Sequence, residues 1–175
     1  MSKLFKYLLA VLLIVLLSSF RFFEINDEVN KNHLFKIERS KDANEIFYDI
    51  NTAKTGQLNI NNPINPYWIR ATEGGLLKPL TWIQQNYAYG LEYVYKSENY
   101  VKFRFVSYKK RDFVLKRDLQ GNFKVYTQLN QKDVEVNRIF IQLDGGTFWS
   151  SKISRVELHT KDPLTNIEIV EIIKP

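Results

Sequence analysis

Between Tyr100 and Lys109 the side chains alternate strictly. Val101, Phe103 and Phe105 share one parity, and Lys102 and Arg104 take the other. A period of two is the mark of a strand with one buried face, because successive side chains point to opposite sides of the backbone. The pattern recurs in Phe123–Leu129, where Phe123, Val125 and Leu129 oppose Lys124, Tyr126 and Gln128. In Val134–Leu143 it recurs with a fault: Val134 and Val136 are in phase, whereas Ile139, Ile141 and Leu143 have the opposite parity. One extra residue near Asn137–Arg138, a β-bulge, restores all five to one face. Further strands are expected over 33–40, 44–51, 66–71, 91–98, 112–118, 152–160 and 166–173. Turn residues separate them at Ser40-Lys41-Asp42, Gln120-Gly121-Asn122, Asp144-Gly145-Gly146 and Asp162-Pro163. The basic run Lys109-Lys110-Arg111 reads as a solvated turn between strands.

One segment, Pro79–Gly90, suits a short helix near residues 80–89. Thr81 is its N-cap, Gln84 sits in the capping-box position, and Gly90 is placed to end it. The fold class is therefore mainly β: an antiparallel meander of about ten short strands, closing into a barrel or folding into a sandwich, with one short helix.

The N-terminus obeys different rules. Lys3 and Lys6 precede an unbroken apolar run from Tyr7 to Leu17, and Ser18-Ser19 follow. A positive start, a short apolar stretch and small residues make an export signal. An uncleaved anchor over Leu4–Phe23 is the alternative, with Lys6 and Arg21 snorkelling to the interfaces. Residues 1–23 are thus read as signal peptide or membrane anchor, 24–32 as a tether, and 33–175 as one domain. The expected location is the periplasm or cell envelope, with membrane contact through the N-terminal segment if it is retained. With no cysteine in the chain, a lipid-modified N-terminal cysteine, disulfides and thiolate metal sites are excluded. The net charge of +6 falls to +3 without the first 21 residues, which leave 22 bases against 19 acids. That mild excess is no nucleic-acid footprint.

The strings Ile37-Glu38-Arg39-Ser40, Ile46-Phe47-Tyr48-Asp49, Pro66-Tyr67-Trp68-Ile69-Arg70 and Ile83-Gln84…Ala88-Tyr89-Gly90 carry a resemblance. Over residues 33 to 173 the chain resembles an uncharacterised family, the domain of unknown function numbered 4833, whose members are mostly exported proteins of Bacteroidota-like bacteria. The resemblance implies an exported β-rich domain and supplies no activity, substrate or catalytic residue.

The chemistry-bearing residues are sparse. His33 and His159 lie in separate strands without metal-ligand spacing, and there is no GxSxG elbow or phosphate-binding glycine loop. No metal or cofactor is expected. Glu38 and Asp49, on adjacent strands, are the pair a hydrolase would use, since acid–base cleavage needs two carboxylates facing one cleft. The plainer role is pairing with Arg39, Lys41 or Arg70 on a solvated face. The abundance of Trp and Tyr points instead to recognition, because such rings bring an apolar face and one hydrogen-bonding atom. The candidate ligand-binding residues are Arg39, Tyr48, Tyr67, Trp68, Arg70, Gln84, Tyr87 and Tyr89. Trp68 is expected to stack on a ligand, Arg70 and Arg39 to hold an anion, and Gln84 and Tyr89 to fix orientation. The leading expectation is a non-enzymatic binding domain of the cell envelope taking a small or extended ligand or an envelope protein. A hydrolase of unrecognised type and a structural component tethered to the inner membrane are the alternatives.

Overall fold

In a computed structural model of the chain, the described residues are 32–147 and 150–174. The expected leader, almost all of the tether, and Trp149 lie outside them. Among the described residues no helix is long and apolar enough to cross a membrane. A compact unit runs from Leu34 to Pro175.

The strands are β1 (His33–Arg39), β2 (Asp42–Ile50), β3 (Ile64–Arg70), β4 (Leu76–Pro79), β5 (Leu91–Lys96), β6 (Tyr100–Phe105), β7 (Tyr108–Arg117), β8 (Phe123–Leu129), β9 (Lys132–Thr147), β10 (Ser150–Lys161) and β11 (Glu168–Ile173). A 3-10 turn at Ala71–Glu73 precedes β4, and helix α1 (Trp82–Tyr87) lies between β4 and β5. The strands form one sheet in the order β4-β3-β2-β1-β9-β8-β7-β6-β5, with β10 on β9 and β11 on β10. The sheet curls into a half-barrel, which leaves β4, β5 and β11 as edges instead of closing them.

Two meanders, β1 to β4 and β5 to β9, meet where β1 runs parallel to β9, from Lys36 opposite Arg138 to Arg39 opposite Ile141. A parallel neighbour needs no hairpin turn between the two segments, so it leaves no turn signal in the sequence. β9 is long enough to serve several partners. It pairs with β8 through Lys132–Glu135, with β1 through Arg138–Ile141, and with β10 from Glu135 to Thr147. The expected bulge is present. His159 lies opposite Arg138 and Thr160 opposite Val136, so Asn137 is the extra residue. Val134, Val136 and Ile139 are consequently all buried.

Inward side chains of the two meanders form an aromatic core. The Phe35 ring stacks on Tyr48 at 4.4 Å, Phe105 meets both edge-on, and Phe113 packs against Phe105 at 5.1 Å. These contacts tie β1 and β2 to β6 and β7, strands that share no backbone ladder. Each such buried ring stabilises the fold by roughly 1.5–3 kcal/mol.

Three local expectations change. The Lys109–Arg111 run is part of β7, because the chain turns earlier, at Val106-Ser107. Gly145 and Gly146 continue β9 opposite Lys152 and Ser151 instead of forming a turn. Helix α1 has the expected cap, with Thr81 and Gln84 forming a reciprocal capping box, but it ends at Ala88. Gly90 is required for space: a Cβ there would lie 1.7 Å from the Gln85 carbonyl oxygen.

Candidate functional site

Arg39 ends β1 in phase with Phe35 and Ile37, which directs it to the concave side of the sheet. Its guanidinium lies 4.8 Å from the centre of the Trp68 ring and 5.8 Å from that of Tyr89. Nη1 donates to the Tyr89 hydroxyl at 3.1 Å and Nη2 to Asp42 Oδ2, while the buried Nε donates to no acceptor. Asp42 is held in turn by the Asn44 amide, which donates to its Oδ1 at 2.9 Å. The Tyr89 ring meets Trp68 edge-on at 5.5 Å, and its carbonyl accepts a 2.7 Å bond from the Tyr48 hydroxyl. Arg39, Tyr48, Trp68 and Tyr89 therefore form one contiguous cluster. Burial pushes the Tyr48 phenol well above its ordinary range, and the neighbouring Tyr89 adds to this. Burial raises Tyr89 as well, against the pull of Arg39. Both hydroxyls remain protonated donors at neutral pH.

The other candidates divide. Gln84 and Tyr87 lie on α1 and face the same hollow as Arg39 and Tyr89. Gln84 is occupied by the cap, accepting from the Thr81 amide at 2.9 Å. Tyr87 is exposed and meets Trp82 edge-on at 5.8 Å. Tyr67 does not join the cluster. It stacks on Phe47 and donates to Asp49 at 2.8 Å, both on the other parity of their strands from Tyr48 and Trp68. Arg70 pairs with Glu73 at 2.9 Å beside the 3-10 turn. Trp68 and Tyr48 are buried, their rings committed to Arg39, Tyr89 and Phe35.

Against this cluster lies a groove of about 550 Å³, bordered by Arg39, Gln84 and Tyr87 on one side and by Leu143 and Ile153 on the other. Beside it is a smaller, mainly apolar pocket of about 220 Å³, bordered by Ile37, Phe105, Phe113, Ile139 and Leu158. Ala88, Tyr89, Ser107, Ile141 and Ile153 border both hollows. Arg111 also borders the inner pocket, bound to Glu171 of β11. Arg111, Ile141 and Ile153 were not among the residues expected from sequence. Their signal was parity: Arg111 shares the phase of Phe113 and Leu115, both buried.

The carboxylates of the hydrolase alternative stand elsewhere. Glu38 lies on the outer face, bound to Lys36 at 2.6 Å and to Arg138 at 2.8 Å. Burial alone would raise its pKa, but the bonds and charges of Lys36 and Arg138 carry it below the usual glutamate value. That is the reverse of what a general acid needs. Asp49 accepts from Tyr67. Among the described residues no three His, Cys, Asp or Glu side chains gather as a metal site. His159 sits on the outer face between Glu157 and Arg138.

A further concavity of about 480 Å³ lies along β6, β7 and β8. Within it Lys102 pairs with Asp112 and Lys116 with Asp133, both at 2.7 Å, and Arg111 is held by Glu171 outside it.

No curated protein and no solved structure matches this chain. One family does match, the family described as Domain of unknown function (DUF4833), over residues 35–172. That span takes in β2 to β10, all but the outer ends of β1 and β11, and every residue bordering the larger groove, and the chain belongs to the DUF4833 family.

Proposed function

We propose that the domain is a non-catalytic binding module of the cell envelope, carried across the inner membrane by its N-terminal segment, whose concave groove holds an apolar or amphipathic ligand. One observation carries this: two adjoining hollows sharing a wall of Ala88, Tyr89, Ser107, Ile141 and Ile153, open beside α1 and apolar within. Concave sites with aliphatic and aromatic walls and a few placed polar groups are the usual form of a small-molecule site. At the outer end the polar groups are Arg39, Gln84, Tyr87 and Tyr89, and at the inner pocket Arg111 is held by Glu171. Export is supported by Lys3, Lys6 and the apolar run that follows them.

The test is titration of the full chain with the apolar fluorophore N-phenyl-1-naphthylamine. Ile153 borders both hollows and is 40% exposed, so Ile153→Trp blocks the groove without replacing a core residue. A saturable component of the signal is expected, and Ile153→Trp removes it. A signal that never saturates, or that Ile153→Trp leaves intact, rejects the groove as a binding site.

A further inference from the structure

We infer that the ligand is a single-chain amphiphile with an acidic head group, its chain in the inner pocket and its head at Arg39. This rests on the groove being a binding site, and it adds the chemical class and the orientation.

The inner pocket is small and walled mainly by apolar side chains, among them Phe105, Phe113, Ile139 and Leu158. A peptide or sugar there would leave polar groups without partners, at a cost of several kcal/mol each. A slender hydrocarbon chain leaves none. Polarity then changes along the groove, from hydrocarbon walls inside to Arg39, Gln84 and Tyr87 outside. A molecule matched to that profile is apolar at one end and polar at the other.

The nature of the head follows from which polar groups still have bonds to give. Gln84 spends its carbonyl oxygen on the Thr81 amide and keeps its side-chain NH2 donors, and the Ser107 hydroxyl donates to the Ala88 carbonyl at 2.6 Å. Arg39 has capacity left. Of its five donors, Nη1 serves Tyr89, Nη2 serves Asp42, and Nε serves no acceptor. Its plane is fixed between Trp68 and Tyr89, so little side-chain freedom is lost when an anion binds. A group that only accepts hydrogen bonds, a carboxylate or a phosphate ester, suits such a donor. Lys41 lies two residues after Arg39 in the chain and Lys152 one before Ile153; neither lines the groove, both are exposed, and neither is in an ion pair among the described residues. They favour a negative head. At the inner end Arg111 faces Glu171 with both Nη groups, whereas Arg39 gives only Nη2 to Asp42, so the donors left for an anion lie at the outer end.

Competition against N-phenyl-1-naphthylamine on the full chain tests this with dodecanoic acid, lauroyl lysophosphatidylglycerol and dodecanol. The two anions separate a carboxylate head from a phosphate head, and a lead for either supports the assignment. At least one anion is expected to displace the probe roughly tenfold better than dodecanol. Arg39→Gln is expected to remove that advantage while dodecanol binds as before. Should Arg39→Gln fail to fold, the surface pair Lys41→Gln with Lys152→Gln takes its place, with a twofold to fivefold loss expected for the anion alone (order of magnitude). Dodecanol competing as well as both anions, or an anion preference untouched in the folded variants, overturns the acidic head and leaves the groove standing. Loss of every competitor's effect, with a probe signal indifferent to Ile153→Trp, rejects the groove itself.

Discussion

Arg111 on β7 and Glu171 on β11 form an ion pair, with Nη2 donating to Oε1 at 2.8 Å and Nη1 lying 2.6 Å from Oε2. Their strands share no backbone ladder, so this ion pair fastens the last strand across the open side of the half-barrel. Arg111 keeps only 17% of its side-chain surface. Removing one partner leaves a largely desolvated charge behind, which costs more than the pair contributes as a whole. Glu171→Ala is expected to lower stability by about 1–2 kcal/mol, discounted for the partial exposure of Glu171. The double variant Arg111→Met with Glu171→Leu recovers most of the loss. Urea unfolding of the three chains checks this, and equal losses in the single and double variants refute it.

Gly90 separates two reasons for a glycine. It follows α1, and its missing side chain lets the backbone pass the Gln85 carbonyl, with 1.7 Å to an added Cβ. Gly56 has a φ of +79° and open space around it. Gly90→Ala is expected to cost about 3 kcal/mol or more, because backbone has to move. Gly56→Ala costs about 1–2 kcal/mol, the strain of a left-handed conformation alone. Thermal unfolding of both variants checks the order, and an equal or reversed effect contradicts the steric account.

Local rules made most of the fold readable. The alternation of Val101, Phe103 and Phe105 placed β6, the phase slip at Asn137 located a bulge, and Thr81 with Gln84 marked the start of α1. Pairing between distant segments was not readable. Nothing in His33–Arg39 says that it lies parallel to residues a hundred positions away, because backbone pairing is blind to side-chain identity. The site divides in the same way. Arg39, Trp68 and Tyr89 were found by residue type, since arginine and large amphipathic rings stand out. Ile141 and Ile153 look like any other aliphatic strand residue, and only the curl of the sheet makes them a groove wall. Arg111 was hidden in a basic run; its parity with Phe113 turns it inward.

The tyrosines set an alkaline limit. Burial pushes Tyr93 and Tyr126 up to about 12, and raises Tyr48 and Tyr67 as well. In the unfolded chain these phenols ionise near pH 10. Their contribution is fully present below pH 10 and is lost as pH rises toward 12, because the unfolded state releases its protons first. The expected result is a steep fall in stability above pH 10, with part of the phenolate absorbance at 295 nm appearing only as the far-ultraviolet ellipticity collapses. Complete phenol titration in a chain that keeps its ellipticity contradicts the burial.

The outer face sets an acid limit. Lys36 binds Glu38 and Glu45, and Arg138 binds Glu38, so one cluster joins β2, β1 and β9. Burial works against the Glu38 charge, but Lys36 and Arg138 prevail and hold its pKa low. A lowered carboxylate stabilises above its unfolded pKa, and that contribution disappears as pH falls through the folded value. Glu38→Gln is expected to weaken the protein at pH 7 and to flatten its loss of stability below pH 4.5. A variant whose acid limb runs parallel to the native one shows that Glu38 carries no such linkage.

Tyr87 distinguishes holding a ligand from holding the fold. It borders the outer groove, yet it is 68% exposed and packs edge-on against Trp82, which is equally exposed. A side chain so open to water contributes little to folding, so Tyr87→Ala is expected to change stability by less than about 0.5 kcal/mol. A ligand lying against the ring covers it, and that burial is lost in the variant at about 25 cal/mol per Å². Release of N-phenyl-1-naphthylamine from Tyr87→Ala is therefore expected to be severalfold faster than from the native chain, measured by stopped-flow fluorescence at matched stability. Identical release from the two chains removes Tyr87 from the site, and a large loss of stability shows that its role is structural.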